Sequence, residues 1–268
     1  MSKNIQKTIL VCMLWLCAIA CFTGFPWMFF SWDIIHTYMQ IYDKPSDMTS
    51  VLFRQECLYF GFFFIYFLFL RNVVKYKELI RHCTFLVAFM GVFMYLLKLQ
   101  TGIVHVSSDY EPFIWLVVGS FMFYLNHKID GIKPEKQKNP ILTLALRILA
   151  GVLLLNIFCL FLPQHAWDTM FKVPFSSVST YDRYTFGMVS GFTAFSSVII
   201  FYISNRVRFY MNLSRAILIF SFLYIIGFGV WGNFMELYKP LFIVYLILVE
   251  SLIVISICYI FKKNTYGK

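Results

Sequence analysis

Apolar residues run through this chain in long blocks, with no period of two or three and a half inside them. Eight blocks stand out, at roughly 9–29, 51–70, 84–100, 112–127, 141–162, 185–204, 215–234 and 240–261. A helix crossing a bilayer core needs about 20 residues, so each block predicts a membrane-spanning helix. The fourth is short: its sixteen residues rise about 24 Å against a core of about 30 Å. Asn126 and Lys128 at its end can snorkel, and the bilayer can thin around it.

The polar connections alternate in sign. Lys3 and Lys7 precede the first block. Arg71, Lys75, Lys77 and Arg81 follow the second, and Lys128, Lys133, Lys136 and Lys138 the fourth. Arg206, Arg208 and Arg215 follow the sixth, and Lys262, Lys263 and Lys268 close the chain. The other connections are acidic or nearly neutral. Basic loops stay on the cytoplasmic side, so eight spans predict both termini there, and we expect a multi-pass protein of the bacterial cytoplasmic membrane. The N-terminal lysines and apolar run imitate a signal peptide, but the run passes the length of an h-region without a small-x-small site. An uncleaved first helix is expected.

Composition agrees. The chain of 268 residues is 60% hydrophobic and 13% charged, with mean hydropathy +0.73, against about 25% charged residues in soluble domains. No stretch is left for a separate soluble domain. The net charge of +10 belongs to the cytoplasmic loops, and no nucleic-acid motif accompanies it. Seven scattered cysteines show no CxxC and no Cys/His ligand spacing; Cys17 and Cys21 share a helix face, as packing residues do.

The outward connections hold aromatic stretches. Trp32–Met39 reads as a short interfacial helix, followed by a turn at Lys44-Pro45-Ser46-Asp47, and His165–Phe171 occupies the equivalent place after the fifth span. Trp32-Asp33 aligns with Trp167-Asp168, Arg54 with Arg183, Arg71 and Arg81 with Arg206 and Arg215, and Tyr110-Glu111-Pro112 with Tyr238-Lys239-Pro240. These correspondences predict an all-α fold of two parallel four-helix repeats, 1–127 and 141–268, joined by a cytoplasmic linker at 128–140.

The second half carries Phe161-Leu162-Pro163 at a helix end, Arg183 followed by Gly187 and Gly191, Gly227 and Gly229 in the next span, then Pro240 and Glu250. With these it resembles the small four-helix bacterial membrane proteins of unknown function that are DoxX-like in build. The first half keeps Pro26, Arg54, Gly61, Gly91 and Pro112, but has Met122 where the glutamate would fall. The resemblance implies a fold and carries no activity, cofactor or site.

Glu250 is the sharpest candidate for chemistry. It lies near the middle of the last span, where a carboxylate costs about 2.5–3.5 kcal/mol even on the milder scale. It either binds a proton, ion or substrate, or forms a structural ion pair, for which Arg147 in the fifth span is the expected partner. Arg54 and Arg183, at the outer ends of equivalent helices, either clamp an anionic group or bond to local acids such as Asp33 and Asp168. Glu56 stands two residues from Arg54, on another helix face, so its partner is expected elsewhere, with Lys98 the first choice. An outer acidic face gathers Asp33, His36 and Asp168 with several other acids. No HxxH, HxxxH or ExxH spacing occurs, so no metal is expected, and no nucleotide, haem or hydrolase motif calls for a cofactor.

Three functions compete. The first is binding or transport of a small solute, ion or lipid-like molecule at Glu250, which requires a cavity reaching it. The second is a non-catalytic subunit or scaffold packed against a membrane partner, which requires Glu250 sealed by Arg147. The third is an enzyme acting on a lipid or isoprenoid, which requires a lateral opening with converging polar groups near the outer arginines. The expected partners are membrane lipids and a protein within the membrane, not nucleic acid.

Overall fold

The computed structural model describes residues 2–31, 34–35, 47–103, 106–136 and 139–262, without the side chains of 106–109, 231, 233 and 234. Among the described residues there is no strand, only an isolated antiparallel bridge between Phe171 and Tyr238. The helices are α1 Lys3–Gly24, α2 Asp47–Leu70, α3 Lys77–Thr101, α4 Val106–His127, α5 Pro140–Leu154, α6 Pro163–Met170, α7 Thr180–Ile203, α8 Met211–Phe234 and α9 Pro240–Phe261. A 3₁₀ turn extends α1 through Phe29, and another carries α5 into a last helical turn at Phe158–Phe161. The predicted interfacial helix at 32–39 falls mostly outside the described residues.

Seven segments are long and apolar enough to cross a membrane: Lys3–Phe29, Asp47–Leu70, Lys77–Thr101, Pro140–Phe161, Thr180–Ile203, Met211–Val230 and Pro240–Phe261. The expected fourth span is helical, as α4, but is not among them. Tyr110, Glu111, Pro112, Asn126 and His127 lower its hydropathy at both ends. Several helices begin earlier than their apolar blocks, because helix continues through the polar interfacial turn: α7 starts at Thr180, capped by Ser179 Oγ accepting from Asp182 N at 3.0 Å. Phe161, Phe29 and Val230 are 74%, 73% and 67% exposed, which water would penalise and lipid would not.

The chain divides into two compact units, one of Met1–Lys44 and Glu56–Lys133, the other of Pro45–Gln55 and Pro134–Lys268. The division passes through α2, between Gln55 and Glu56.

In the first unit α3 and α4 form a tight antiparallel hairpin. Gly102, with φ 69°, ends α3 in the left-handed conformation, and its N–H donates to the Lys98 carbonyl at 2.9 Å. The two backbones touch. A Cβ on Gly91 would stand 2.6 Å from Leu116 N and would also meet the Pro112 carbonyl. A Cβ on Gly119 would stand 2.8 Å from Ala88 Cα and closer still to Ala88 N. Small residues allow such approach where apolar burial offers helices little drive to associate. The pairing also shelters Asn126, fully buried, whose Nδ2 donates to the Lys77 carbonyl at 3.1 Å. Lys3 Nζ meets Asp130 Oδ2 at 2.9 Å, and Ile132 N donates to the Val74 carbonyl at 3.1 Å. The start of α1, the 71–76 connection and the segment after α4 thus share one end of this unit. Lys3 holds the exposed Asp130 carboxyl below its ordinary value.

In the second unit α7 is innermost, 72% of its most apolar window being buried against 28% for α9. Its small residues Ser190, Ala194, Ser196 and Ser197 are all buried, and the Ser196 and Ser197 hydroxyls donate back to the Phe192 and Ala194 carbonyls. Helix α5 packs on α7, and α9 packs on both α5 and α8. Asn156, at the 3₁₀ break after α5, donates to Tyr245 Oη on α9 at 2.7 Å. Thr143 Oγ1 donates to the Ser204 carbonyl at 3.2 Å, and the Arg215 guanidinium lies 4.8 Å from the Phe261 ring. The start of α5, the 204–210 connection and the end of α9 therefore lie at one end of this unit.

The opposite end is an aromatic cap. Trp167, fully buried, centres it, 4.6 Å from the Phe171 ring and 5.1 Å from Phe186. Its Nε1 donates to the Val173 carbonyl at 2.7 Å. The bridge between Phe171 and Tyr238 carries Lys172 N to Leu237 O at 2.8 Å and Lys239 N to Met170 O at 2.9 Å. Tyr238 lies directly over Gly232, where a Cβ would collide with its ring. Glu236, φ 54°, takes the left-handed position after α8, with Leu237 N reaching back to the Gly232 carbonyl at 3.0 Å.

Candidate functional site

Pro240 opens α9 at the aromatic cap, its missing N–H costing nothing at the first helical position. Ten residues further on stands Glu250, half-way along the 22-residue helix. It lies on the wall of a groove of about 500 Å³ between α8 and α9. Ile225, Gly229, Ile243 and Leu246 line it, with Tyr238 at the cap end and Ser251 beside Glu250. Gly229 makes the room: a Cβ there would come no nearer than 3.8 Å to Leu246 Cδ1. The rim residues Ile226, Val230 and Ile247 are exposed and apolar, so the groove opens toward the surface that the hydrophobic pattern assigns to lipid.

Both Glu250 oxygens are buried and have no hydrogen-bond partner among the described residues. The expected pair with Arg147 is not formed. Arg147 is exposed on α5, between exposed Leu144 and Ile148, and its guanidinium stacks 5.6 Å from the Phe201 ring. A cation that finds an aromatic face on α7 has no need to cross the helix to reach Glu250.

The other polar groups of the groove have used their protons. Ser251 Oγ donates to the Ile247 carbonyl at 2.7 Å, and Tyr238 Oη donates to the Phe228 carbonyl at 3.2 Å. Burial pushes the Tyr238 phenol far above its ordinary range, so it keeps that proton.

No protein-family model, curated protein or solved structure matches this chain. The arrangement of its own side chains therefore carries the functional reading.

Arg183 and Asp168 meet on one loop. Arg183 Nη2 donates to the Phe175 carbonyl at 3.2 Å and the Ser176 carbonyl at 3.5 Å, and the guanidinium stacks 4.7 Å from the Phe175 ring. Asp168 Oδ1 accepts from Phe175 N at 3.0 Å, and its carbonyl accepts from Lys239 Nζ. Both side chains hold the 171–178 segment against the cap, so this arginine is bonded to backbone carbonyls rather than to an acid. Arg183→Ala should release that segment at a cost of about 2 kcal/mol, read as faster proteolysis between 171 and 178 with the helix content retained.

Arg54 is half-buried on α2, its Nε donating to Ser50 Oγ at 3.3 Å. Glu56, one step into the other unit, is half-buried within electrostatic reach of Glu111 on α4; Glu111 in turn accepts from Trp115 Nε1 at 3.2 Å. Asp33 and His36 lie outside the described residues. No group of three or more His, Cys, Asp and Glu side chains suited to a metal converges among the described residues.

The groove itself had partial signals in the sequence. Glu250 and the paired glycines Gly227 and Gly229 stand out in apolar helices. That Gly229, Ser251 and Tyr238 share a groove with Glu250 depends on how α8 faces α9, which no spacing within one helix encodes.

Proposed function

We propose that this membrane protein binds, and in binding sequesters or moves, a small lipid-like molecule at the α8–α9 groove, with Glu250 as its intramembrane ionisable group. One observation carries the reading: a carboxylate at mid-helix, with neither oxygen bonded among the described residues, on the wall of a groove large enough for a small molecule. An unpaired charge at that depth is expensive, and in this reading a bound molecule supplies the partner that the described residues do not. The scaffold reading requires Glu250 sealed by Arg147, and the enzyme reading requires polar groups converging by the outer arginines; Arg183 is spent on a loop.

The topology belongs to the same proposal. The chain crosses eight times as two four-helix repeats with both termini cytoplasmic, in a bacterial inner membrane, and resembles DoxX-like proteins in build. Two facts support α4 as the eighth crossing. Its 22 residues span about 33 Å. Its far end returns to the end of the unit that carries Lys3 and Val74.

Glu250→Gln should leave the thermal midpoint within a few degrees of wild type, since no intramolecular bond is lost. It should also remove any small molecule that co-purifies in mild detergent, read by mass spectrometry of the extracted protein. Equal recovery of such a molecule from both proteins would sink the proposal. Arg147→Gln should change neither readout.

A further inference from the structure

Among the described residues, the polar side chains that line the groove bring acceptor oxygens and no uncommitted hydroxyl proton. The groove's one charged lining residue is Glu250, whose two carboxylate oxygens are buried and have no hydrogen-bond partner among the described residues. The Ser251 and Tyr238 protons go to main-chain carbonyls, leaving those two oxygens only lone pairs. Every other lining side chain is aliphatic or absent. A carboxylate, phosphate or sulfate headgroup would find only like charge and lone pairs. A protonated amine would find one full opposite charge in a low-dielectric slot, where a charge-assisted hydrogen bond is strongest.

Among the described residues, no cation of the same unit is bonded to Glu250. Arg147 faces Phe201. On α8, Arg215 stands over Phe261 at the far end of α9, eleven residues along from Glu250, or roughly 16 Å. Lys239 donates to the Asp168 carbonyl in the cap.

Shape adds a second constraint. The groove runs along α9 from Ser251 toward Tyr238, which stands just before the helix; Ser251 to Pro240 alone is about 16 Å at the helical rise, and the exposed apolar rim lets a chain enter sideways from lipid. A volume of about 500 Å³ suits one alkyl or isoprenoid chain of roughly a dozen carbons rather than a two-chain lipid.

Building on the small-molecule reading of the groove, we propose that its ligand is a single-chain amphiphilic amine, bound as the ammonium with its nitrogen at Glu250 and its chain directed toward Tyr238. The test uses the full chain in nanodiscs of zwitterionic lipid and two diazirine photoprobes with the same twelve-carbon chain, one an amine and one an alcohol. The amine probe should label residues 225–251 at least tenfold more than the alcohol. Dodecylamine should compete, and dodecanoic acid should not. Glu250→Gln should bring amine labelling down to the alcohol level. Gly229→Leu, which fills the groove from a helix face without close neighbours, should remove labelling by both. Equal labelling by the two probes, unaffected by Glu250→Gln but lost in Gly229→Leu, overturns the amine assignment and leaves the groove reading standing. No labelling of 225–251 by either probe overturns both. Competition by dodecanoic acid in place of dodecylamine overturns the charge argument. A photoreactive residue at Val230 that crosslinks in native membranes to another polypeptide overturns the small-molecule occupant.

Discussion

Gly119→Val is expected to leave little folded protein. The hairpin of α3 and α4 closes with its backbones in contact, and a first side-chain carbon on Gly119 would overlap Ala88 N and stand 2.8 Å from Ala88 Cα. Neither atom can rotate away, because both belong to the main chain of a helix. The hairpin must therefore open by an ångström or more along its length, which also separates Gly91 from Leu116 and withdraws Asn126 from the Lys77 carbonyl. Overpacking that shifts backbone costs about 3 kcal/mol, and an exposed Asn126 amide adds to it. The midpoint of thermal unfolding in detergent should fall sharply. Gly151→Ala is the control. A Cβ there meets nothing within 4 Å, and alanine in mid-helix is expected to raise the midpoint slightly, by the equivalent of about 0.5–1 kcal/mol. If Gly119→Val melts like wild type, α3 and α4 do not pack as described.

Trp167→Ala should be nearly as damaging, by a different route. The indole is fully buried at the centre of the aromatic cap. It touches Phe171, Phe175 and Phe186 and pins the loop through its bond to Val173. Removing a buried tryptophan costs about 3–5 kcal/mol. Here the loss falls on α6 and the 171–178 segment, which have few other anchors: the short bridge to Leu237 and Tyr238, and the Arg183 and Asp168 bonds. The expected result is a lower midpoint together with rapid cleavage between 163 and 178. Trp167→Phe should recover most of the stability and lose about 1 kcal/mol for the Val173 bond. A cap that resists protease in Trp167→Ala would show that the cap is held by α8 and α9 alone.

The two effects show where this protein spends its specificity. Within lipid, apolar burial discriminates weakly between helix faces. Contacts that select one arrangement are close backbone approaches, as at Gly91 and Gly119, and polar side chains bonded across elements, as at Asn126, Asn156 and the Arg183 loop. The Glu250 groove does the reverse. It keeps a carboxylate without a partner among the described residues and a space without a side chain, both of which cost stability unless something fills them.

Much of the fold was legible beforehand because long apolar blocks admit one explanation. Seven of the eight predicted blocks are helices long and apolar enough to cross a membrane. The exception, α4, was short as an apolar block because its polar ends Glu111 and Asn126 are sheltered by neighbours, and shelter is not a local property. Glu250 was legible for a similar reason: a carboxylate inside an apolar run is conspicuous whatever surrounds it. Its expected partner was not, since Arg147 could be matched to it only by depth. Depth says nothing about rotation around a helix, and Arg147 turns to Phe201. Arg183 and Asp168 stand out in the sequence as charges near an outer surface, but their shared purpose, holding Phe175 from two sides, depends on the fold of the loop.

The sequence alone therefore determined the number and extent of the apolar blocks, the alternation of basic connections and the one carboxylate in mid-helix. These follow from the cost of placing polar groups in hydrocarbon, which acts residue by residue. Tertiary structure decided which helix faces meet, that Glu250 is left without a bond among the described residues, and that a groove lies beside it. Those depend on helix rotation and on where glycines let helices approach or leave room, quantities that belong to pairs of helices and are written in neither helix by itself.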